Sequence, residues 1–292
     1  MSDGWRTVII DRHERMELNN GCIVVNDSEK KQSFPIEQIR DIIFAFPAGS
    51  ITLPLLLRLV QEKTNVILCD ARREPAAQLI PLNRHTEAAG RIMDQAQWTK
   101  KRKDLAWKYI IRNKIAMQSQ LLQATQGQIS KQLSSYASSV RLGDKTNREG
   151  LAARLYFPAL FGNGFIRHAP DPVNAALNYG YTILNTAMSR IITAHGCCTA
   201  LGIHHCGRNN PVNLSCDLME PFRPFVDEIV AKNGVRELDW EYRQKLIGIL
   251  QNSCMLDGKS QKIGYAMELY ALQMLEMMRE KHAKPGVLEF AL

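Results

Sequence analysis

The feature that most restricts the fold is a change of texture near residue 80. Before it, short β-branched or apolar runs recur: RTVIID (6–11), CIVVN (22–26), IRDIIFAF (39–46) and VILCD (66–70). Turn formers such as Asn19-Asn20-Gly21 and Asn26-Asp27-Ser28 separate them, so this part reads as strands. The exception is ITLPLLLRLVQEK (51–63), where apolar residues recur at helical spacing behind Thr52 and Pro54, a suitable helix start. After Pro81 the strand signals fade and stretches rich in Ala, Leu, Gln, Met, Lys and Arg take over, which favour helix. The expected class is α+β. A small β-rich domain over 1–80, with one helix against its sheet, precedes a linker or helix start over 81–95 and a larger all-α domain over 96–292. Helices are expected near 86–126, 146–161, 171–196, 220–232, 239–254 and 264–281, with the Gln-rich patch 118–132 an exposed helix or a helix junction.

A chain of 292 residues with 45% hydrophobic and 23% charged content can bury a sizeable core throughout. Its most apolar window, 51–60, is short and broken by Pro54 and Arg58, and no signal-like segment leads the chain. A cytoplasmic protein without a membrane span is expected. The seven Cys include no C-x-x-C pair, which argues against a disulfide framework or a paired-cysteine zinc motif. The formal charge is +8, and most of it is concentrated between Arg84 and Lys114, where nine basic residues face three acids. Such clustering suits a polyanion-binding face, although a solvated helix face explains it equally well.

The stretch HHCGRNNPVNLSCDLMEPFRP (204–224) is the most chemically dense. A zinc cage is disfavoured, because the adjacent pairs Cys197-Cys198 and His204-His205 point in different directions and seldom ligate one ion together. Asp217 and Glu220, three apart, share a face if the backbone makes a helical turn. Pro221 and Pro224 place both acids at or just before a helix N-terminus, where the dipole favours ionised carboxylates. Simple N-capping is the plainer account of the pair. Glu149 has a similar ambiguity: it stands three after Thr146, as in a capping box. The apolar Leu151, Ala152, Leu155 and Tyr156 nevertheless turn one face of that helix inward, where an acid needs a metal, a cation or a hydrogen bond.

Taken together, Gly202-Ile-His-His205, Asn213-Leu214, Asp217-Leu-Met-Glu220-Pro-Phe-Arg223-Pro-Phe-Val-Asp227 and Glu149-Gly-Leu-Ala-Ala-Arg-Leu-Tyr-Phe resemble the CRISPR-associated spacer-acquisition integrase family, the first of the numbered Cas proteins. In the first half, Gly4-Trp-Arg-Thr, Ser50-Ile-Thr-Leu and Val66-Ile-Leu-Cys-Asp70 resemble the branch found in type II systems. The resemblance spans essentially the whole chain. It implies a β-rich dimerisation domain and a helical catalytic domain, with catalytic and metal-ligating residues Glu149, His205 and Glu220 and with Asp217 nearby as a support or further ligand. His204 would be a neighbour of the site. Two carboxylates and an imidazole suit Mg²⁺ or Mn²⁺. The implied reaction joins protospacer 3′-hydroxyl ends to a CRISPR repeat by transesterification, which needs no ATP, and no G-x-x-x-x-G-K-[ST] loop is present. The other readings are a structure-selective metal-dependent DNA endonuclease and a non-catalytic DNA-binding assembly subunit. Expected partners are double-stranded DNA, a second copy in a homodimer, a dimer of the small second CRISPR-associated protein bridging two such dimers, and further type II adaptation proteins. Arg84, Arg91, Arg102, Lys103, Arg208 and Arg223 are the candidates for DNA contact, Arg223 alternatively pairing with Asp227 one turn on. The tail KPGVLEFAL either docks a partner or packs on its own domain.

Overall fold

The computed structural model describes residues 6–11, 15–26, 31–45, 49–79, 85–123, 125–279 and 285–291. Gly4 and Trp5, the Asp27-Ser28 turn and residues 81–84 at the start of the expected link, Arg84 among them, lie outside these residues. Contacts divide the chain into two compact units, Met1–Thr86 with Thr193–His195, and Glu87–Ile192 with Gly196–Leu292.

The first unit contains β1 (Arg6–Ile10), β2 (Arg15–Asn19), β3 (Cys22–Asn26), β4 (Lys31–Pro35), β5 (Ile39–Phe44), β6 (Ser50–Ile51), α1 (Leu53–Gln61), β7 (Asn65–Cys69) and β8 (Pro75–Leu79). They form two four-stranded sheets, where the sequence suggested one: β1-β5-β7-β8 and β4-β3-β2-β6. In the first, β1, β5 and β7 run parallel, and β5, flanked on both sides, is buried along its whole length, Arg40 and Asp41 included. In the second, β2 and β3 make a hairpin whose turn residues Asn20 and Gly21 have φ of 46° and 72°. Those positive angles define the turn type that matches strand twist, and Asn-Gly reaches them at least cost. Ile10, Ile42, Phe44 and Val66 from one sheet meet Met16, Ile23 and Val25 from the other, with Leu55 and Leu59 of α1, in one core.

The second unit is mainly helical: α2 (Ala88–Ala96), α3 (Lys100–Leu122), α4 (Gly127–Ser138), α5 (Arg148–Phe161), most of α6 (Pro172–Ala194), α7 (Asn213–Met219), α8 (Arg223–Asn233), α9 (Trp240–Ile247) and α10 (Ile263–Arg279). The single helix expected over 86–126 divides at Thr99, whose extended backbone and hydroxyl cap α3 through the Arg102 N–H. Buried residues of α3 occur on every side (Ala106, Trp107, Ile110, Ile111, Asn113, Ile115, Met117, Gln118), so it is the central helix of this unit. It packs against α4, α5, α8 and α10. This unit is not wholly helical. β9 (Ser253–Leu256), β10 (Lys259–Lys262) and β11 (Leu288–Phe290) form a small antiparallel sheet, and the helix expected to reach Cys254 stops earlier. In the tail, the described residues of β11 pack on their own unit, with the Phe290 ring 4.8 Å from that of Phe225. Among the described residues no helix is long and apolar enough to cross a membrane.

Candidate metal centre

Three segments of the second unit bring their acids towards α3. At the start of α5, Asp144 accepts the N–H groups of Arg148 (2.8 Å) and Glu149 (3.0 Å). Asn147, in the left-handed region with φ 48°, caps Gly150 at 3.1 Å. The capping box expected between Thr146 and Glu149 is therefore absent, because Asp144 and Asn147 already satisfy the free N–H groups. The Glu149 carboxylate reaches instead to Lys114 Nζ of α3, 2.6 Å from its Oε1. Lys114 was counted in the basic segment, yet its side chain is only 14% exposed and turns inward.

The other acid on Lys114 is Glu220, in the 3-10 turn Glu220–Phe222 between α7 and α8. Its side chain is 4% exposed, with Oε2 2.6 Å from Lys114 Nζ and Oε1 2.8 Å from Arg223 Nη2. Arg223 thus pairs with Glu220 and not with Asp227, and its guanidinium lies over the Tyr181 ring at 4.7 Å. Asp227 is occupied by the hydroxyls of Tyr156 and Tyr181. Burial opposes ionisation of Glu220, but Lys114 and Arg223 outweigh it and hold its carboxyl below the usual range. Lys114 is affected in the complementary way: burial pulls its ammonium down, and the two glutamates raise it further.

Asp217 is placed differently from Glu220. It lies in the last turn of α7, not at a helix start, and is fully buried. Its Oδ2 accepts the N–H groups of Ile203 (2.6 Å) and His204 (2.9 Å), and its Oδ1 accepts the His205 N–H (3.1 Å) and ring Nδ1 (2.6 Å). Four hydrogen bonds use the accepting capacity of this carboxylate, so Asp217 positions the loop and the His205 ring and is not itself arranged as a metal donor. The bond to Asp217 raises the His205 pKa, burial opposes this, and the charges of Asp217, Glu220 and Glu149 reinforce it. With Nδ1 held, Nε2 is the nitrogen left for ligation.

The glycine of the G-x-x-H pattern has a packing reason. A Cβ on Gly202 would collide with the His205 carbonyl and stand 2.9 Å from Asp217 Oδ2. Trp107 of α3 braces the same loop: the His204 ring stacks flat on it at 4.1 Å, and His205 meets its edge at 5.8 Å. Lys114 and Trp107 touch the candidate site residues and belong to none of the motifs. They stand seven apart on α3, with Ile110 and Ile111 between them, so the sequence did place a lysine on an apolar stripe.

Among the described residues no three His, Cys, Asp or Glu side chains close on one point as a finished metal cage does. The cation between Glu149 and Glu220 is the Lys114 ammonium. The donor set nonetheless fits a hard divalent ion. Glu220 is buried, and the Lys114 ammonium stands 2.6 Å from its Oε2 where a hard cation would sit. Of the proposed DNA contacts, Arg208 is exposed and Lys103 half-buried. Arg91 bonds Glu87, and Arg102 is drawn to the Met278 carbonyl at the end of α10.

A strand-rich unit followed by a mainly helical one is the fold found in solved Cas1 proteins. Among solved structures, a Cas1 protein from Thermotoga maritima superposes with a TM-score of 0.74 at 13% identity, covering 98% of this chain and 99% of that one. A casposase bound to integration product gives 0.76 at 17%, over 96% and 92%. The Cas6-RT-Cas1–Cas2 complex gives 0.70 at 19%, over 96% of this chain and 36% of that longer one. In sequence, the family model for CRISPR associated protein Cas1 matches residues 7–262. A CRISPR-associated endonuclease Cas1 from Neisseria meningitidis is 35% identical over 224 residues, 76% of this chain and 74% of that protein. The chain belongs to the Cas1 family.

Proposed function

We propose that the protein is a divalent-metal-dependent DNA integrase of CRISPR adaptation, joining protospacer 3′-hydroxyl ends to the CRISPR repeat by transesterification. The observation that carries this reading is the convergence of Glu149 and Glu220, from separate elements, on a single buried cation. A structural ion pair needs one acid; two carboxylates drawn together beside an oriented imidazole are the donors of a hard metal. Glu149, His205 and Glu220 would hold Mg²⁺ or Mn²⁺, with Asp217 fixing the His205 ring. When bound, that ion would polarise the phosphodiester and favour ionisation of the attacking hydroxyl. The new P–O bond to the protospacer 3′-oxygen replaces the repeat's P–O bond, and the departing 3′-oxygen takes up a proton, so no external energy source is required.

The basic surface of α3 and exposed Arg208 would hold phosphates, giving affinity with little sequence preference. A homodimer is supported by Leu53 and Leu57 of α1, 73% and 61% exposed and one turn apart in the β-rich unit. The structural neighbour from a Cas6-RT-Cas1–Cas2 complex supports a Cas2-type partner, and in the proposed assembly a dimer of that small protein bridges two such dimers. The name endonuclease carried by the Neisseria relative favours one further reading, in which water replaces the 3′-hydroxyl on branched DNA.

The test is strand transfer of a short duplex into a supercoiled repeat plasmid, with Mn²⁺ and the small partner. Glu149→Ala should lose more than about a hundredfold in rate while retaining duplex binding. Normal joining by that variant would refute the assignment. Cleavage of branched DNA without joining would favour the nuclease, and DNA binding without either reaction would favour an assembly subunit.

A further inference from the structure

We infer that Lys114 is the resident cation of the metal-free site, and that a divalent metal engages Glu149 and Glu220 only by displacing its ammonium. The inference rests on the metal-dependent reading above. Lys114 Nζ lies 2.6 Å from an oxygen of each glutamate, and Arg223 neutralises the other Glu220 oxygen at 2.8 Å. Two carboxylates and two cations already balance. A doubly charged ion added to the same oxygens would stand against an ammonium at close range in a poorly screened site, where repulsion is strong. One of the two must leave. The Lys114 contacts are suited to exchange, since both glutamates are held by the one ammonium, each at 2.6 Å, and withdrawing it frees an oxygen of each. A lysine, with its compact charge on a flexible stem, can withdraw where a forked guanidinium on two carboxylates could not. Trp107, Ile110 and Ile111 fix α3 in place, so the side chain and not the helix makes the movement.

The experiment uses the full chain and Mn²⁺ alone, read by isothermal titration and by thermal unfolding with and without metal. Lys114→Met should unfold at a lower temperature without metal, because two glutamates lose their counter-charge, and should bind Mn²⁺ at least about tenfold more tightly than wild type. Glu149→Gln should lose that binding. Should Lys114→Met fail to fold, acylation of wild-type lysines followed by peptide mass analysis reads the displacement directly: Lys114 should become more reactive when Mn²⁺ saturates the protein. Equal metal-free stability and equal Mn²⁺ affinity in wild type and Lys114→Met would overturn the inference while leaving the metal reading intact. Unchanged Lys114 reactivity on saturation would do the same. Absence of Mn²⁺ binding in wild type and Lys114→Met alike would overturn both.

Discussion

Asp217 holds His205 twice through one oxygen: Oδ1 accepts the ring Nδ1–H at 2.6 Å and the backbone N–H of the same residue at 3.1 Å. Its second oxygen binds the two preceding N–H groups, so a single buried carboxylate sets both the course of the loop and the angle of the ring. Asp217→Asn replaces one of those acceptors by an amide that meets donors. A loss of about 2–4 kcal/mol in urea unfolding is expected.

The same bond predicts a pH effect. Asp217 raises the His205 pKa above its ordinary value, so the ring's contribution to stability is present below that value and lost as pH rises through the folded one. Ligation needs the neutral ring, and metal-dependent joining should rise across the same window. In Asp217→Asn the rise should begin at lower pH; an unmoved profile would show that Asp217 does not govern the ring.

Gly202→Ala should weaken the site, because the added methyl meets the His205 carbonyl and the Asp217 carboxylate. The expected cost is about 1–3 kcal/mol together with loss of Mn²⁺ binding. Gly164→Ala, which would meet nothing within 4 Å, should match wild type in both measurements.

Burial pushes the Asp227 carboxyl up to about 6 from 3.8, against the hydrogen bonds of Tyr181 and Tyr156. The folded protein therefore holds this proton more tightly than the unfolded chain. The stability so gained is full below about pH 4 and lost as pH rises to about 6, a change of roughly 3 kcal/mol. In urea titrations from pH 4 to 7, Asp227→Asn should gain on wild type as pH rises, and parallel curves would contradict this.

The basic face of α3 is not uniform. Lys101 is exposed, while Arg102 is spent on the Met278 carbonyl. Lys101→Ala should lower the salt slope of duplex binding by about one, whereas Arg102→Met should leave the slope unchanged and cost about 1 kcal/mol in stability. Fluorescence anisotropy over a range of salt concentrations distinguishes the two.

Legibility followed burial. CIVVN and VILCD announced β3 and β7 because their apolar residues are contiguous, whereas RMELN and PAAQL, with few buried positions, hid β2 and β8. The α4 sequence GQISKQLSSYAS has too few apolar residues to show a helical stripe clearly. The hairpin of β9 and β10 did leave a signal, Asp257-Gly258, both at positive φ, between two short runs. At the site, family motifs led to Glu149, His205 and Glu220. The division of labour between the two acids of D-x-x-E could not be read from spacing, since it depends on the loop N–H groups that surround Asp217. Lys114 stands among basic residues of which Lys101 and Arg112 are exposed, and only the fold shows that its own position faces inward.

The most direct test of the account is anomalous scattering from a crystal of the protein soaked in Mn²⁺. A peak ligated by Glu149, Glu220 and His205 Nε2, with the Lys114 ammonium moved off both carboxylates, is the predicted result. A peak elsewhere, or ion pairs of Lys114 unchanged in a crystal saturated with Mn²⁺, would contradict it.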